Sequence, residues 1–338
     1  MDECPADRWA RRNEEFCRAV LKQPWGNIDA VYGFNAASLE LFEKAKVRGL
    51  RCILDQTAAP WRWNTQMLRE EAARWPGWET DGWEIDVNGT LAAREEAEWA
   101  LADTIVCGSR FAADMVDASL GRARTCVVSY PQPALSGLRT ASMLRSGPLR
   151  VLYVGSLQLR KGIQYLWQSK QLLGGAIDVR VIGPSLLSDH GLAQLKSCMD
   201  IRGARPRSEV VRHLEWADAF VLPSLSEGSA NACHEAMAAG VPTITTRNSG
   251  SLIRHGENGW VMPVRDADTL AAQLSDIDAI RLMRQRLQDD RALQIPRTLF
   301  DYGKELLQAI GCCGEGMQAG EVTPQRSQRA DSGSQATQ

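Results

Sequence analysis

Short runs of β-branched and apolar residues alternate with longer stretches of helical period along most of this chain, the pattern of a parallel sheet covered by helices. The strands read as Asp29–Phe34, Arg51–Gln56, Thr104–Ser109 and Thr125–Tyr130. After the turn Ser146-Gly147-Pro148 they resume as Leu149–Val154, Asp178–Gly183, Ala219–Pro223 and Pro242–Thr246, with a shorter one near Gly259–Met262. Helices are expected over Ala6–Leu21, Gly162–Leu173, Ser208–Trp216, Ala230–Ala239, Asp268–Leu274 and Pro296–Ile310. The fold class is therefore α/β, with two sheet domains in series, 1–147 and 148–295, each long enough for its own core. A helix over 296–310 follows, and a tail over 311–338 without Leu, Ile or Phe is expected to be disordered.

Charge narrows the class of function. Thirty-nine Lys and Arg against 41 Asp and Glu give a net charge of −2, which disfavours a protein built to coat nucleic acid or an anionic membrane. No stretch reaches the roughly 18 apolar residues of a spanning helix, and the charged N-terminus does not resemble a signal peptide, so a cytoplasmic protein is expected. Nine cysteines without paired spacing read as small buried hydrophobes.

The chemistry concentrates in Val221-Leu-Pro-Ser-Leu-Ser-Glu227-Gly-Ser-Ala-Asn-Ala-Cys-His-Glu235, a buried strand running through a small-residue loop into a helix. The free amides of Gly228, Ser229, Ala230 and Asn231 and the positive end of the helix dipole make an anion cradle at the strand's C-terminal edge. Glu227 stands in that loop. Glu235, about two turns into the helix, leans back toward the same place. Two carboxylates beside an anion site suit a ligand with hydroxyls next to a diphosphate, and a nucleotide sugar has that combination. The cationic complement is Val154-Gly155-Ser156-Leu-Gln-Leu-Arg160-Lys161-Gly162, a turn at the end of the domain's first strand that can neutralise a leaving diphosphate.

These pieces, with Trp216-Ala-Asp218-Ala-Phe-Val-Leu-Pro-Ser before the loop and Pro242-Thr-Ile-Thr-Thr, Asn248-Ser-Gly-Ser and Gly256-Glu-Asn-Gly259 after it, resemble the retaining glycosyltransferases of the GT-B fold, family 4. The likeness is sharp between Leu149 and Val264 and extends as a domain pattern from Asp29 to Ile310. It implies two Rossmann-like domains facing across a cleft, an acceptor side over 1–147 and a donor side over 148–295, with the last helix crossing back to the first. It implies that Glu227 contacts the donor sugar and Glu235 accepts from the ribose hydroxyls. Arg160 and Lys161 would bind the diphosphate, with Gly155, Ser156 and Gly183 at its side and the backbone near Arg202 and Gly203 by the nucleobase. Transfer would proceed with retention at the anomeric carbon, to a glycan, a lipid-linked acceptor or a small-molecule hydroxyl.

Departures from the family pattern accompany the likeness. Ser156 stands where an Arg is common, and the loop after Pro242–Thr246 lacks the usual Glu, which leaves the donor open. Family members open with a strand and glycine-rich loop and two further strands before the counterpart of Asp29–Phe34, so the first domain is expected to be incomplete at its N-terminal side. A non-catalytic nucleotide-sugar-binding remnant is therefore the alternative function. A Rossmann dehydrogenase is disfavoured, because no G-x-G-x-x-G follows a strand.

The bland readings stand beside these. Glu227 and Glu235 could be acids at a helix start, and Arg160-Lys161 a solvated basic pair. Asp266-Ala-Asp268 and Asp276-Ile-Asp278 have the metal-binding D-x-D form but read better as helix caps; no catalytic metal and no cofactor beyond the donor substrate are expected. Ser109 reads as an N-cap. His234 faces core or surface, not a metal. Six of the eleven tryptophans lie in the insertion Thr57–Leu101, where packing is the default. Trp61 and Trp63 are the two expected to line the cleft, with Asp55 as the polar acceptor contact. A lipid-linked acceptor leaves room for peripheral membrane contact; no nucleic-acid partner is expected.

Overall fold

A computed structural model describes residues 4–79, 85–121, 124–132 and 147–311. Trp83, Ser146 of the expected interdomain turn and the expected tail beyond Gly311 lie outside the described residues. In the first half, α1 (Pro5–Leu21) leads to β1 (Ala30–Phe34), α2 (Leu39–Val47), β2 (Arg51–Gln56), α3 (Trp61–Arg74), α4 (Thr90–Leu101), β3 (Thr104–Cys107), α5 (Arg110–Leu120) and β4 (Thr125–Val127). The second half runs β5 (Leu149–Val154), α6 (Ile163–Leu173), β6 (Ile177–Ile182), α7 (Asp189–Lys196), β7 (Asp200–Ile201), α8 (Arg207–Trp216), β8 (Ala219–Leu222), α9 (Asn231–Ala238), β9 (Thr243–Thr246), β10 (Gly259–Met262), α10 (Ala267–Ser275) and α11 (Ile277–Asp289). Finally α12 (Leu299–Ala309) closes the described chain.

Among the described residues the strands make two sheets, ordered β1-β2-β3-β4 and β10-β9-β8-β5-β6-β7, and every pairing is parallel. In the second sheet the chain winds from β5 outward to β6 and β7, then returns to the other side of β5 with β8, β9 and β10. The reversal opens a crevice beyond the carboxyl ends of β5 and β8, where open α/β sheets bind ligands. Leu149, Val151, Phe220, Val221 and Ile244 fill the core of this domain with no exposed surface, because both faces of the sheet are covered.

Local chemistry sets the element ends. Ser109 Oγ accepts from the amide of Ala112 and starts α5. Asp266 and Asp276 do the same for α10 and α11, accepting from Thr269 and Ala279. Pro296–Thr298 stays outside α12: Thr298 and Asp301 form a reciprocal capping box, so the helix starts at Leu299, later than the sequence suggests. α12 then packs Tyr302, Leu306 and Ile310 against Ile53, Val106 and Val128 of the first sheet. The short β7, with α7 before it, was not legible as period because each is so brief.

The division of the chain at residue 147 does not describe the packing of the tryptophan-rich insertion. The later part of α3 and the residues just after it, through Glu79, lie against the second domain. Trp78 is 5% exposed and belongs to that domain's core. Trp75 and Trp78 meet edge to face at 4.9 Å, and Trp167 of α6 meets Trp78 at 5.4 Å. Glu71, fully buried, accepts from Gln164 at 3.0 Å and from Arg265 at 2.8 Å, and from the Tyr165 hydroxyl. Interface and core thus share one set of side chains, a result that helical period within the insertion could not announce.

Candidate functional site

The 3-10 turn Leu159–Lys161 leaves the end of β5, and Gly162 ends it at φ +73°. A Cβ at Gly162 would lie 2.0 Å from the carbonyl oxygen of Pro223, so the turn and the loop after β8 touch backbone to backbone. Leu225 N–H donates to the Arg160 carbonyl at 2.8 Å, and Arg160 Nη1 donates to the Ser226 carbonyl at 2.7 Å. These bonds bring Arg160, Lys161 and Glu227 together at the crevice.

Glu227 is 8% exposed. Lys161 Nζ lies 2.5 Å from Oε1 and Arg160 Nη1 3.4 Å from Oε2, while Ser224 Oγ donates to Oε1 at 3.2 Å. Burial alone would raise this carboxyl's pKa, but Arg160 and Lys161 outweigh it and hold the group below the usual carboxylate range. It is an ionised, charge-compensated group. The loop around it is fixed from two directions. Glu227 N–H donates to Asn248 O at 3.0 Å and Ala230 N–H to Ser249 O at 2.9 Å. On the other side, a Cβ at Gly228 would lie 1.6 Å from the Thr57 carbonyl oxygen, so the first half of the chain touches the loop where only glycine fits.

Glu235 sits along α9 beside Arg207, whose guanidinium is 3.0 Å from Oε1. Burial raises its pKa and Arg207 partly offsets this. Together with Asn231 these residues line a cavity of about 1030 Å³ whose other wall includes Tyr130, Gln132 and Arg297. His234, one position earlier on the helix, turns into the interior: burial, then the nearby Arg297 charge, lower its imidazole to about 4.

The remaining expected positions divide. Ser229 lies in the loop with its hydroxyl buried, and Asn231 opens α9. Gly155 and Gly183 pack backbone against backbone, since a Cβ at Gly183 would lie 1.9 Å from the Gly155 carbonyl oxygen. Ser156 Oγ accepts from Gln158 at 2.8 Å. Gly203 accepts from Gly183 N–H at 3.0 Å, and Arg202 pairs with Asp200 at 2.8 Å. Asp55 is a correction: it is 5% exposed and lies behind Tyr130, accepting from the Tyr32 hydroxyl at 2.8 Å, so its carboxyl is not displayed to an acceptor. Trp61 is another. It packs edge to face on Trp9 at 5.8 Å, beside Ala6, Ala10, Ala36 and Leu91. Trp63 meets Phe111 at 5.6 Å and packs by Leu225, two residues from Glu227, between the halves.

Sequence reasoning did not single out Thr57, Glu71, Glu79 or Arg207. Thr57 donates through N–H and hydroxyl to Asn35 Oδ1, and Asn35 in turn donates to buried Glu95, whose pKa burial pushes up to about 7. The one available signal was position: Thr57 follows the C-terminal end of a parallel strand.

Residues 148–278 match the glycosyl transferases group 1 profile. That stretch holds the turn, the loop and both glutamates. The amylovoran biosynthesis glycosyltransferase AmsK of Erwinia amylovora is 36% identical over 143 residues, 38% of this chain and 35% of that protein. Glycogen synthase of Mycobacterium tuberculosis is 26% identical over 245 residues, 65% of this chain and 57% of that one. The aligned stretch thus spans about a third of the first relative's length and just over half of the second's. Among solved structures, Anabaena HepE in complex with UDP superposes with a TM-score of 0.62 at 13% identity, covering 90% of this chain and 83% of that one. TarM gives 0.62 at 12% identity, covering 87% and 57%. The architecture is that of GT-B glycosyltransferases, and the sequence relatives named here are glycosyltransferases of polysaccharide synthesis.

Proposed function

We propose that this chain is a retaining glycosyltransferase that moves a sugar from a nucleotide diphosphate sugar to an acceptor hydroxyl in polysaccharide or glycoconjugate synthesis. The observation that carries the reading is the buried Glu227 between Lys161 and Arg160 at the crevice between β5 and β8, with Glu235 farther along α9. Negative charge develops on the diphosphate as the glycosidic bond breaks. Lys161 and Arg160, already held in place by backbone contacts, stabilise that charge without reorganisation, as do the amides of Gly228–Asn231. Glu227, ionised, is unsuited to donate a proton to the leaving group; its role is to hold the donor sugar and align its anomeric carbon with the acceptor oxygen on the face the diphosphate leaves. Glu235 receives the ribose hydroxyls after the exposed Arg207 gives way. Base recognition falls to the backbone by Arg202 and Gly203, and the acceptor enters between Trp63 and Thr57. The donor is a substrate, with no resident cofactor or metal, and the reaction is assigned to the cytoplasm. No described helix is long and apolar enough to cross a membrane.

The test is thermal unfolding of the full chain with UDP, GDP, ADP and TDP in turn, since a ligand of the folded state raises stability with concentration over Kd. UDP comes first because HepE and one TarM complex were solved with it. A selective shift, followed by transfer from the matching sugar nucleotide that Glu227→Gln abolishes, is the expected result. A shift without transfer would instead describe a nucleotide-sugar-binding protein, and no shift with any nucleotide would remove the donor site altogether.

A further inference from the structure

We propose that Glu79 is a positioning residue for the diphosphate turn, acting from the first half of the chain on the peptide that precedes Arg160. Its carboxylate Oε1 accepts from Leu159 N–H at 2.6 Å. That amide opens the 3-10 turn Leu159–Lys161 and so has no partner within it. A carboxylate is a stronger acceptor for it than water or a neutral oxygen. The other side of the same residue is held as well. The Leu159 carbonyl accepts from Gln164 Nε2 at 2.9 Å, and that nitrogen also donates to Glu71 at 3.0 Å. Two carboxylates of the tryptophan-rich insertion therefore converge on Leu159, one directly and one through Gln164.

The mount is rigid. Trp78, next to Glu79, is buried in the second domain's core, and its carbonyl accepts from Ser188 N–H at 2.8 Å. Ser188 Oγ donates to the Gly77 carbonyl at 2.5 Å, and Glu79 bridges Leu187 in antiparallel fashion. A Cβ at Gly191 would lie 2.6 Å from the Trp78 carbonyl oxygen, so α7 presents glycine where the insertion lies on it. Leu187 and Ser185 are tied in turn to Leu157, through Leu186 N–H to Leu157 O at 3.0 Å. A path of direct contacts thus runs from Trp78 to the turn bearing Arg160 and Lys161. Glu79 meets the peptide that carries the two cations and so fixes where they stand.

The inference rests on the reading of Arg160 and Lys161 as the diphosphate site, and the experiment separates the two. Binding of UDP and UMP to the full chain is measured by titration calorimetry, because cations that read the second phosphate appear as preference for UDP. Glu79→Ala is expected to weaken UDP about tenfold and to leave UMP unchanged, the loss of one charge-assisted hydrogen bond. Glu79→Gln is expected to restore the preference, since its amide oxygen can accept the same N–H. Glu79→Met, of similar length and without an acceptor, repeats the test should the alanine variant fail to fold. Preference retained in the Ala and Met variants but lost in Lys161→Met would overturn the role of Glu79 and leave the diphosphate reading intact. Preference retained in Lys161→Met would overturn both.

Discussion

Replacing Glu227 by Gln removes one negative charge from between two cations whose side chains are each 18% exposed. At an effective dielectric of about 20, a unit charge pair near 3 Å is worth roughly 5 kcal/mol before desolvation is counted. Desolvation reduces this, and removing one partner of a buried pair costs about 3–5 kcal/mol in practice. The crevice is partly open, so the lower end applies, about 3 kcal/mol. For a domain of this size that corresponds to a Tm lowered by about 6–12 °C at pH 7. The sign of the pH dependence follows from the carboxyl's lowered pKa. A group lowered on folding contributes stability above its unfolded value, here 4.5, and loses it as pH falls through the folded value. Wild type and Glu227→Gln should therefore converge in stability as pH drops below about 4.5. A diphosphate supplies the missing negative charge, so UDP should recover part of the lost Tm in the variant while transfer stays at least a hundredfold down. The assay is differential scanning calorimetry from pH 3.5 to 8 with and without UDP. Equal Tm at pH 7, or a difference that does not shrink in acid, would refute the charge-compensation argument.

Trp78→Ala should destabilise by about 3–5 kcal/mol in urea unfolding, as a large side chain leaves the second domain's core; a loss under 1 kcal/mol would mean the insertion is not part of that core. Gly228→Ala should keep nucleotide affinity within a few fold yet slow transfer more than tenfold, because the methyl group collides with Thr57 and pushes the halves apart; an unaltered rate would refute the contact. His234 is lowered to about 4 and is neutral when folded, so it contributes stability above pH 6.5 that is lost as pH falls toward 4. His234→Leu should flatten that window, removing a pH-dependent change on the order of 3 kcal/mol seen by urea titration at each pH; an unchanged slope would sink it.

Strand positions were legible because parallel strands buried on both faces leave dense apolar runs such as Leu149–Val154 and Ala219–Leu222. That Lys161 and Glu227 stand at one edge of the second sheet was legible too, since both follow strands that end there; their ion pair was not. Asp55 misled for the same reason. It also ends a parallel strand, but its side chain lies on the face that α12 covers, and no local signal tells which face a distant helix will take. The insertion was illegible at a deeper level. Its tryptophans have the composition of a core, yet the sequence says nothing of whose core they complete. Glu71 and Glu79 look like ordinary surface acids until Arg265, Gln164 and Leu159 arrive from 80 or more residues away.

Trp78 has a consequence for how the chain could be cut or recombined. A gene fragment starting near Gly147 would encode every strand of the second sheet and lack a side chain from its interior. A tryptophan buries on the order of 150–250 Å², so at about 25 cal/mol per Å² the excised piece would forgo roughly 4–6 kcal/mol and present Trp167 and Tyr165 to water. A hybrid that grafts this donor half onto another acceptor half inherits the same vacancy unless residues 71–79 travel with it. The smallest portable unit of this protein is thus discontinuous in sequence, and a segment synthesised early must wait for the strands it completes.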